Sequence, residues 1–304
     1  MAAPVSVIVN ASAHSDGAAH VAAELDGHFA AAGIRIEIKL AKSGKDIIEA
    51  VAAAIVSKPG MIVVGGGDGT LGAASSLLVE TGIALGILPL GTLNHFAKDL
   101  HVPLDLEEAV KTIAEGHSAQ IDMGAVNDRF FINNASLGIY PHLVQERHHQ
   151  QQWLGHGKWP AFAWAALAVL RRLPFAEVLL DIDGKSLARR TPFVFVGNNR
   201  YQMEGFRIGE RARLDGGELS LYIANRTGRL GLVRLALRAL LGRLDQAADF
   251  DMVCARHIEV RTRRHRAHVA TDGEIFVMET PLRFRVLPGA LKVIVPKPGP
   301  AAPE

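Results

Sequence analysis

The chain has 304 residues and a mass of 32.6 kDa, enough for two domains or one large one, and its 49% hydrophobic and 21% charged content excludes a disordered chain. A single cysteine, Cys254, excludes a disulfide framework and a cysteine-built zinc site. The net charge of +2 hides an asymmetry: residues 1–125 carry 7 Lys+Arg against 14 Asp+Glu, residues 126–304 carry 26 against 17, and such a basic half points to an anionic partner surface, membrane or nucleic acid.

Along the first 125 residues, short apolar runs alternate with helix-like segments. SVIVN (6–10), IRIEIKL (34–40), MIVVGG (61–66) and ALGILPL (84–90) read as strands. Helices are expected near 16–32, 46–56, 70–80, 93–100 and 106–115. This alternation predicts an α/β domain with a mostly parallel sheet. From about residue 120 the pattern changes to RFFINNASLGI, EVLLDIDG, PFVFVGNN, GELSLYIAN, RHIEVRTR, RAHVATDG and LRFRV, short strands punctuated by Gly, Asn and Asp. They predict an antiparallel sandwich over residues 126–285, interrupted by helices near 158–173 and 228–244. The opening MAAPVSVIVNASA lacks the positive start of a secretion signal, and the longest apolar stretch, 160–170, is about half a membrane span. The expectation is a cytoplasmic protein that touches the inner face of a membrane without crossing it.

Chemistry concentrates in GGGDGT, where a buried strand runs into Gly65, Gly66 and Gly67, then Asp68, Gly69 and Thr70, then a helix. Glycine permits the sharp turn and lets backbone N–H groups approach a phosphate, and the helix adds its N-terminal partial charge. No Gly-Lys-Ser/Thr follows, which excludes a Walker loop. The spacing of Gly67, Gly69 and Gly72 matches a dinucleotide fingerprint, but Asp68 sits inside the turn and no acidic residue follows about 20 positions on. A second loop, LPLGTLNHFAKDL (88–100), offers Gly91, Thr92 and Asn94 after the next strand, and the two loops can converge at the carboxyl ends of neighbouring strands. Thr92 or Asn94 is equally placed to cap the helix that follows. Late in the chain, Asp272-Gly273 reads by itself as a β-turn.

Together, GGDGT (66–70), PLGTLNHFA (89–97) and TDGE (271–274) resemble the diacylglycerol-kinase catalytic family, which includes bacterial lipid kinases and sphingosine kinases. FINNASLG (131–138) and the run 196–223 extend the likeness over nearly the whole chain. The resemblance implies an N-terminal nucleotide-binding domain (1–125) similar to that of NAD kinases and a C-terminal lipid domain. It also implies an active site in a cleft between the two and a last strand, about 286–296, that returns to the first domain. ATP and Mg2+ are the implied cofactors. Gly66, Gly67, Asp68, Gly69 and Thr70 match the nucleotide loop, with Asp68 near phosphates and metal, and Gly91, Thr92 and Asn94 match the second nucleotide loop. Asp122 matches an acidic position of the metal network, Asp272 the general base and Glu274 its acidic neighbour. Two departures stand out. His95 occupies a position where the family often has Asp, and Asn10-Ala11-Ser12-Ala13-His14 replaces the usual Asn-Pro-x-Ser-Gly, leaving Asn10 and Ser12 as candidate nucleotide contacts.

The stretches 160–173 and 228–244 carry apolar residues interleaved with arginines, a pattern that suits an anionic membrane surface or a helix packed on the second domain's sheet. Arg261, Arg263, Arg264 and Arg266 form a basic run around an expected hairpin, without the interleaved aromatics of a nucleic-acid site. His148-His149 and His257, His265 and His268 lack zinc-site spacing. These features predict a magnesium- and ATP-dependent kinase acting on a hydroxyl of a membrane lipid, diacylglycerol-like or a sphingoid base, with no nucleic-acid partner. Homodimerisation is compatible with the size class. The competing readings are a soluble-substrate kinase of NAD-kinase type, a non-catalytic nucleotide sensor and, third, a dinucleotide oxidoreductase.

Overall fold

Alternating buried strands and Ala-rich helices build the first of two units, Met1–Met123 with Arg213–Asp215 and Leu287–Glu304. The computed structural model describes residues 4–11, 18–138, 176–191, 193–204, 207–224 and 250–297. In chain order the first unit contains β1 (Val5–Asn10), α1 (Ala18–Ala31), β2 (Ile36–Ala41), α2 (Gly44–Val56), β3 (Met61–Gly66), α3 (Asp68–Leu78), β4 (Ala84–Pro89), α4 (His95–Asp99) and α5 (Leu106–Glu115). The strands pair in the order β2-β1-β3-β4, all parallel. β4 is buried throughout and β3 nearly so, as continuous apolar runs demand when a sheet is covered on both faces. Local signals set the helix ends. The Asp105 carboxylate accepts the Glu108 N–H to cap α5, which stops at Gly116 with φ 65°. Because β1, β3 and β4 run parallel and in register, their carboxyl ends at Asn10, Gly66 and Pro89 lie at one edge of the sheet.

The second unit, Gly124–Ala212 with Gly216–Val286, is an antiparallel sandwich. β5 (Ser118–Val126) leads into it and pairs with β6 (Arg129–Phe131); then follow β7 (Asn134–Gly138), β8 (Ala176–Ile182), β9 (Lys185–Thr191), β10 (Phe193–Asn198), β11 (Tyr201–Glu204), β12 (Arg207–Arg211), β13 (Leu219–Ala224), β14 (Phe250–Ala255), β15 (His257–Thr262), β16 (Arg266–Thr271), β17 (Glu274–Glu279) and β18 (Leu282–Ile294). One sheet has the order β14-β13-β10-β7-β16-β17, and the other layer is β9-β8-β15 with the first half of β18. Alternate residues of each strand point inward: Val194, Val196, Leu221 and Val269 from one layer meet Val178, Leu180, Val260 and Phe284 from the other in one apolar core. β18 continues past this core, and its Val293 pairs in parallel with Leu85 of β4.

Three expectations change. The run 129–139 is not one strand but β6 and β7, broken at Ile132 and Asn133. The helix after the glycine loop starts at Asp68, two residues before the expected position, with Gly67 as its N-cap. The basic run at 261–266 is not a hairpin, because β15 and β16 belong to different layers and the turn between them crosses the sandwich edge. The arginines there are exposed, and three of the four are matched by acids: Arg261 to Glu259 at 2.6 Å, Arg263 to Glu177 at 2.6 Å and Arg266 to Glu279 at 3.8 Å. The expected helices at 158–173 and 228–244 lie outside the described residues. Among the described residues, no helix is long and apolar enough to cross a membrane.

Phe284 is 1% exposed in the sandwich core. Phe284→Ala is expected to cost about 3–5 kcal/mol, read as a lower denaturant midpoint.

Candidate active site

Two loops meet at the carboxyl edge of the parallel sheet because glycines let their backbones touch. A Cβ on Gly91 would lie 2.4 Å from the Gly67 Cα and 2.7 Å from Asn94 Oδ1, and one on Gly66 would collide with the Thr70 side chain at 2.6 Å. With that space free, Thr70 folds back and its Oγ1 accepts a hydrogen bond from Asn10 Nδ2 at 2.8 Å, tying the end of β1 to the glycine loop. Gly69 differs: nothing lies within 4 Å of where its Cβ would be, so packing does not require a glycine there.

Asp68 joins the loops. Its Oδ1 accepts the Phe96 N–H at 2.9 Å and its Oδ2 the His95 N–H at 3.2 Å, so the first residue of α3 caps the start of α4. Asn94 sits at the N-cap position of α4 but does not cap it. With φ 49° its side chain turns back on its own loop, accepting the Gly91 N–H at 2.9 Å and donating to the Gly91 and Pro89 carbonyls. Thr92 and His95 are exposed. The contact at residue 95 uses its backbone N–H, so it does not depend on the side chain that occupies the position. No side chain caps α3, which leaves its first backbone N–H groups facing the glycine loop. Ser12 lies outside the described residues.

In the second unit, Asp272 and Gly273 both have positive φ, 48° and 88°, and form a two-residue turn between β16 and β17. The Asp272 carboxylate points into the break between β6 and β7. Oδ2 accepts the Ile132 N–H at 2.8 Å, and Oδ1 accepts the N–H groups of Asn133 at 2.8 Å and Asn134 at 3.2 Å. The break is thereby explained, since these amides serve a carboxylate instead of a strand ladder. Burial pushes the Asp272 pKa up to about 6, against the opposing pull of the three N–H groups and the Arg211 charge. Among the described residues Oδ2 accepts one hydrogen bond and Oδ1 two, so Oδ2 keeps the free lone pair. Glu274 opens β17 beside the turn and is exposed.

Asp122 is 2% exposed on β5; its Oδ1 accepts the Gly289 N–H at 2.9 Å and its own N–H donates to the Leu214 carbonyl. It therefore holds the returning strand and the 213–215 segment together. Among the described residues no group of three His, Cys, Asp or Glu side chains could cage a metal. The carboxylate on the two glycine-bearing loops is Asp68, and each of its oxygens keeps a lone pair beyond the bond shown. That donor set fits magnesium arriving on phosphate oxygens, which needs only one or two protein carboxylates.

Residues missed by sequence reasoning surround Asp272. Arg211, 5% exposed, donates from Nη1 to the Ile132 carbonyl at 2.7 Å and the Asn198 carbonyl at 3.1 Å, and from Nη2 to Asn133 Oδ1 at 2.7 Å. Asn198 Nδ2 adds a bond to the Ile132 carbonyl. No motif marks Arg211, because one arginine among several in ERARLDGG carries no spacing signal.

Residues 4–126 match the diacylglycerol kinase catalytic domain model, and residues 138–295 match the YegS C-terminal NAD kinase beta sandwich-like domain model. The chain belongs to the diacylglycerol kinase catalytic-domain family. A Staphylococcus carnosus (strain TM300) diacylglycerol kinase is 28% identical over 78% of this chain and 77% of its own length. A Staphylococcus aureus (strain JH9) diacylglycerol kinase is 30% identical over 55% of this chain and 53% of its own. A Bacillus anthracis str. Sterne structure, provisionally assigned as a diacylglycerol kinase, has a TM-score of 0.73 at 25% identity, covering 96% of each chain. Membership makes this protein a lipid kinase, with an N-terminal α/β domain and a C-terminal β-sandwich like those of its relatives.

In this family member, Gly91→Ala forces backbone apart, whereas Gly69→Ala meets open space at a helix start. Thermal melting is expected to fall by several degrees for Gly91→Ala and to stay level or rise for Gly69→Ala, whose helix propensity gains up to about 1 kcal/mol.

Proposed function

We propose that this kinase transfers the γ-phosphoryl group of ATP to a hydroxyl of diacylglycerol, with Asp272 as general base. The observation that carries the proposal is the Asp272 carboxylate: half-buried, held by three backbone N–H groups, and left with one open acceptor site on Oδ2. The names of the relatives favour diacylglycerol over a sphingoid base. The lipid oxygen bonds to the γ-phosphorus, the bond to ADP breaks, and the hydroxyl proton passes to Oδ2. The backbone N–H groups of residues 68–70, at the uncapped start of α3, bind the phosphates, while the Asn10–Thr70 bond and the Gly67–Gly91 contact fix the loops around them. Magnesium, bound with the nucleotide and held on the protein side by Asp68, would neutralise charge on the transferring group. Such transfers depend mainly on position and charge neutralisation, which backbone donors supply without reorganising. The substrate resides in a bilayer, and the excess of 26 basic over 17 acidic residues in 126–304 favours an anionic surface at the cytoplasmic leaflet.

Incubation with labelled ATP, magnesium and mixed micelles of diacylglycerol or a sphingoid base tests the proposal. Labelled phosphatidic acid is expected, falling roughly 10²- to 10⁴-fold in Asp272→Asn. No labelled lipid from any candidate would overturn it. Because the base acts only when deprotonated, kcat is expected to rise with pH through about 6 and level off above. Gly69→Ala, stable by melting, is expected to raise the KM for ATP on the order of tenfold, since its new methyl occupies the space left for phosphate.

A further inference from the structure

We propose that Arg211 is a positioning residue for the base: it fixes the 132–134 segment whose backbone N–H groups hold Asp272 and places a positive charge beside that carboxylate. The inference rests on the reading of Asp272 as base. A guanidinium this deeply buried is costly unless its donors are satisfied, and its bonds to Ile132 and Asn133 fall on the segment that holds the base. Nη1 bridges the Ile132 and Asn198 carbonyls, and Nη2 binds Asn133 Oδ1. Ile132 and Asn133 thus face two ways, with N–H groups to Asp272 and oxygens to Arg211. The Tyr201 ring lies 5.3 Å from the guanidinium carbon, and Tyr201 is itself held by an N–H bond to the Tyr222 hydroxyl. Arg211 is therefore clamped by β10, β11 and β13 while it clamps the break between β6 and β7.

Its charge acts in the same direction as its hydrogen bonds. Arg211 pulls the Asp272 pKa down against burial. Besides the Tyr201 and Tyr222 phenols, the ionisable groups on the described parts of the surrounding strands are Glu210 on β12, Glu274 and Glu279 on β17, His268 and Arg266 on β16, and Arg129 on β6. Glu210, Glu274, Glu279, His268 and Arg266 are exposed to solvent, and Arg129 stacks over the Phe276 ring at 3.6 Å. Water screens those charges more than it screens Arg211.

The test compares wild type with Arg211→Gln, Arg211→Lys, Asn133→Ala and Asp272→Asn, measuring melting temperature and the pH dependence of kcat with diacylglycerol micelles. Arg211→Gln is expected to lower kcat roughly 10- to 100-fold and to move the acid limb upward by on the order of one pH unit. Arg211→Lys keeps the charge, so its limb stays at the wild-type position and part of the lost kcat returns. Asn133→Ala removes one anchor but no charge, lowering kcat with the limb unmoved. An Arg211→Gln enzyme with the wild-type limb overturns the proposal, whatever its kcat or melting temperature. If Arg211→Gln does not fold, Asn133→Ala decides: kcat within about twofold of wild type overturns the proposal, because the anchor then does nothing. Activity retained in Asp272→Asn would instead sink the reading of the base.

Discussion

A carboxylate that collects backbone N–H groups from a distant stretch of chain is the interaction on which both halves of this protein depend. Asp68 gathers the amides of residues 95 and 96, Asp122 that of Gly289, and Asp272 those of 132, 133 and 134. The amides of residues 95 and 96 start a helix and those of 132–134 lie at or beside the break between β6 and β7, where a helix or ladder bond is missing and a partner must come from elsewhere. An ionised acceptor makes the bond roughly twice as strong as a neutral one. At Asp68 and Asp272 a loop thereby acquires a fixed shape, and at Asp122 the returning strand is tied to β5.

This arrangement suits phosphoryl transfer. The first unit offers a parallel sheet whose loops are built from glycines and held by Asp68, so the backbone donors at its carboxyl edge need not move. The second unit places Asp272 in a turn that its neighbours over-determine: a left-handed φ, three N–H bonds, and Arg211 behind the segment that supplies them. Enclosure raises the carboxyl pKa and the donors lower it, leaving a group ionised at neutral pH yet still able to accept a proton.

Much of the fold was legible because periodicity reports burial. The runs at 61–66 and 84–90 became β3 and β4 almost residue for residue, and the alternating LRFRV became the inner half of β18. Strands without a clear apolar period escaped notice, among them β9, whose residues are mostly exposed, and the β11–β12 pair. The glycine loops announced themselves by composition, but the separate reasons for each glycine did not: Gly91 is needed for backbone contact and Gly69 is not. Asn94 reads from the sequence as a nucleotide-loop residue or a cap; it does not cap α4 and staples its own loop, because its left-handed backbone turns the amide inward. Arg211 was not legible at all, since its importance comes from meeting residues 78 and 79 positions away.

The central claim is that Asp272 is a half-buried carboxylate, held by three backbone N–H groups and poised to titrate just below neutrality. Its most direct test is a carboxyl-carbon NMR titration of aspartate-labelled protein, wild type beside Asp272→Asn. The account predicts one aspartate titrating near pH 6 that is missing from the variant. A spectrum in which every aspartate titrates near the ordinary value of about 3.9 would contradict it.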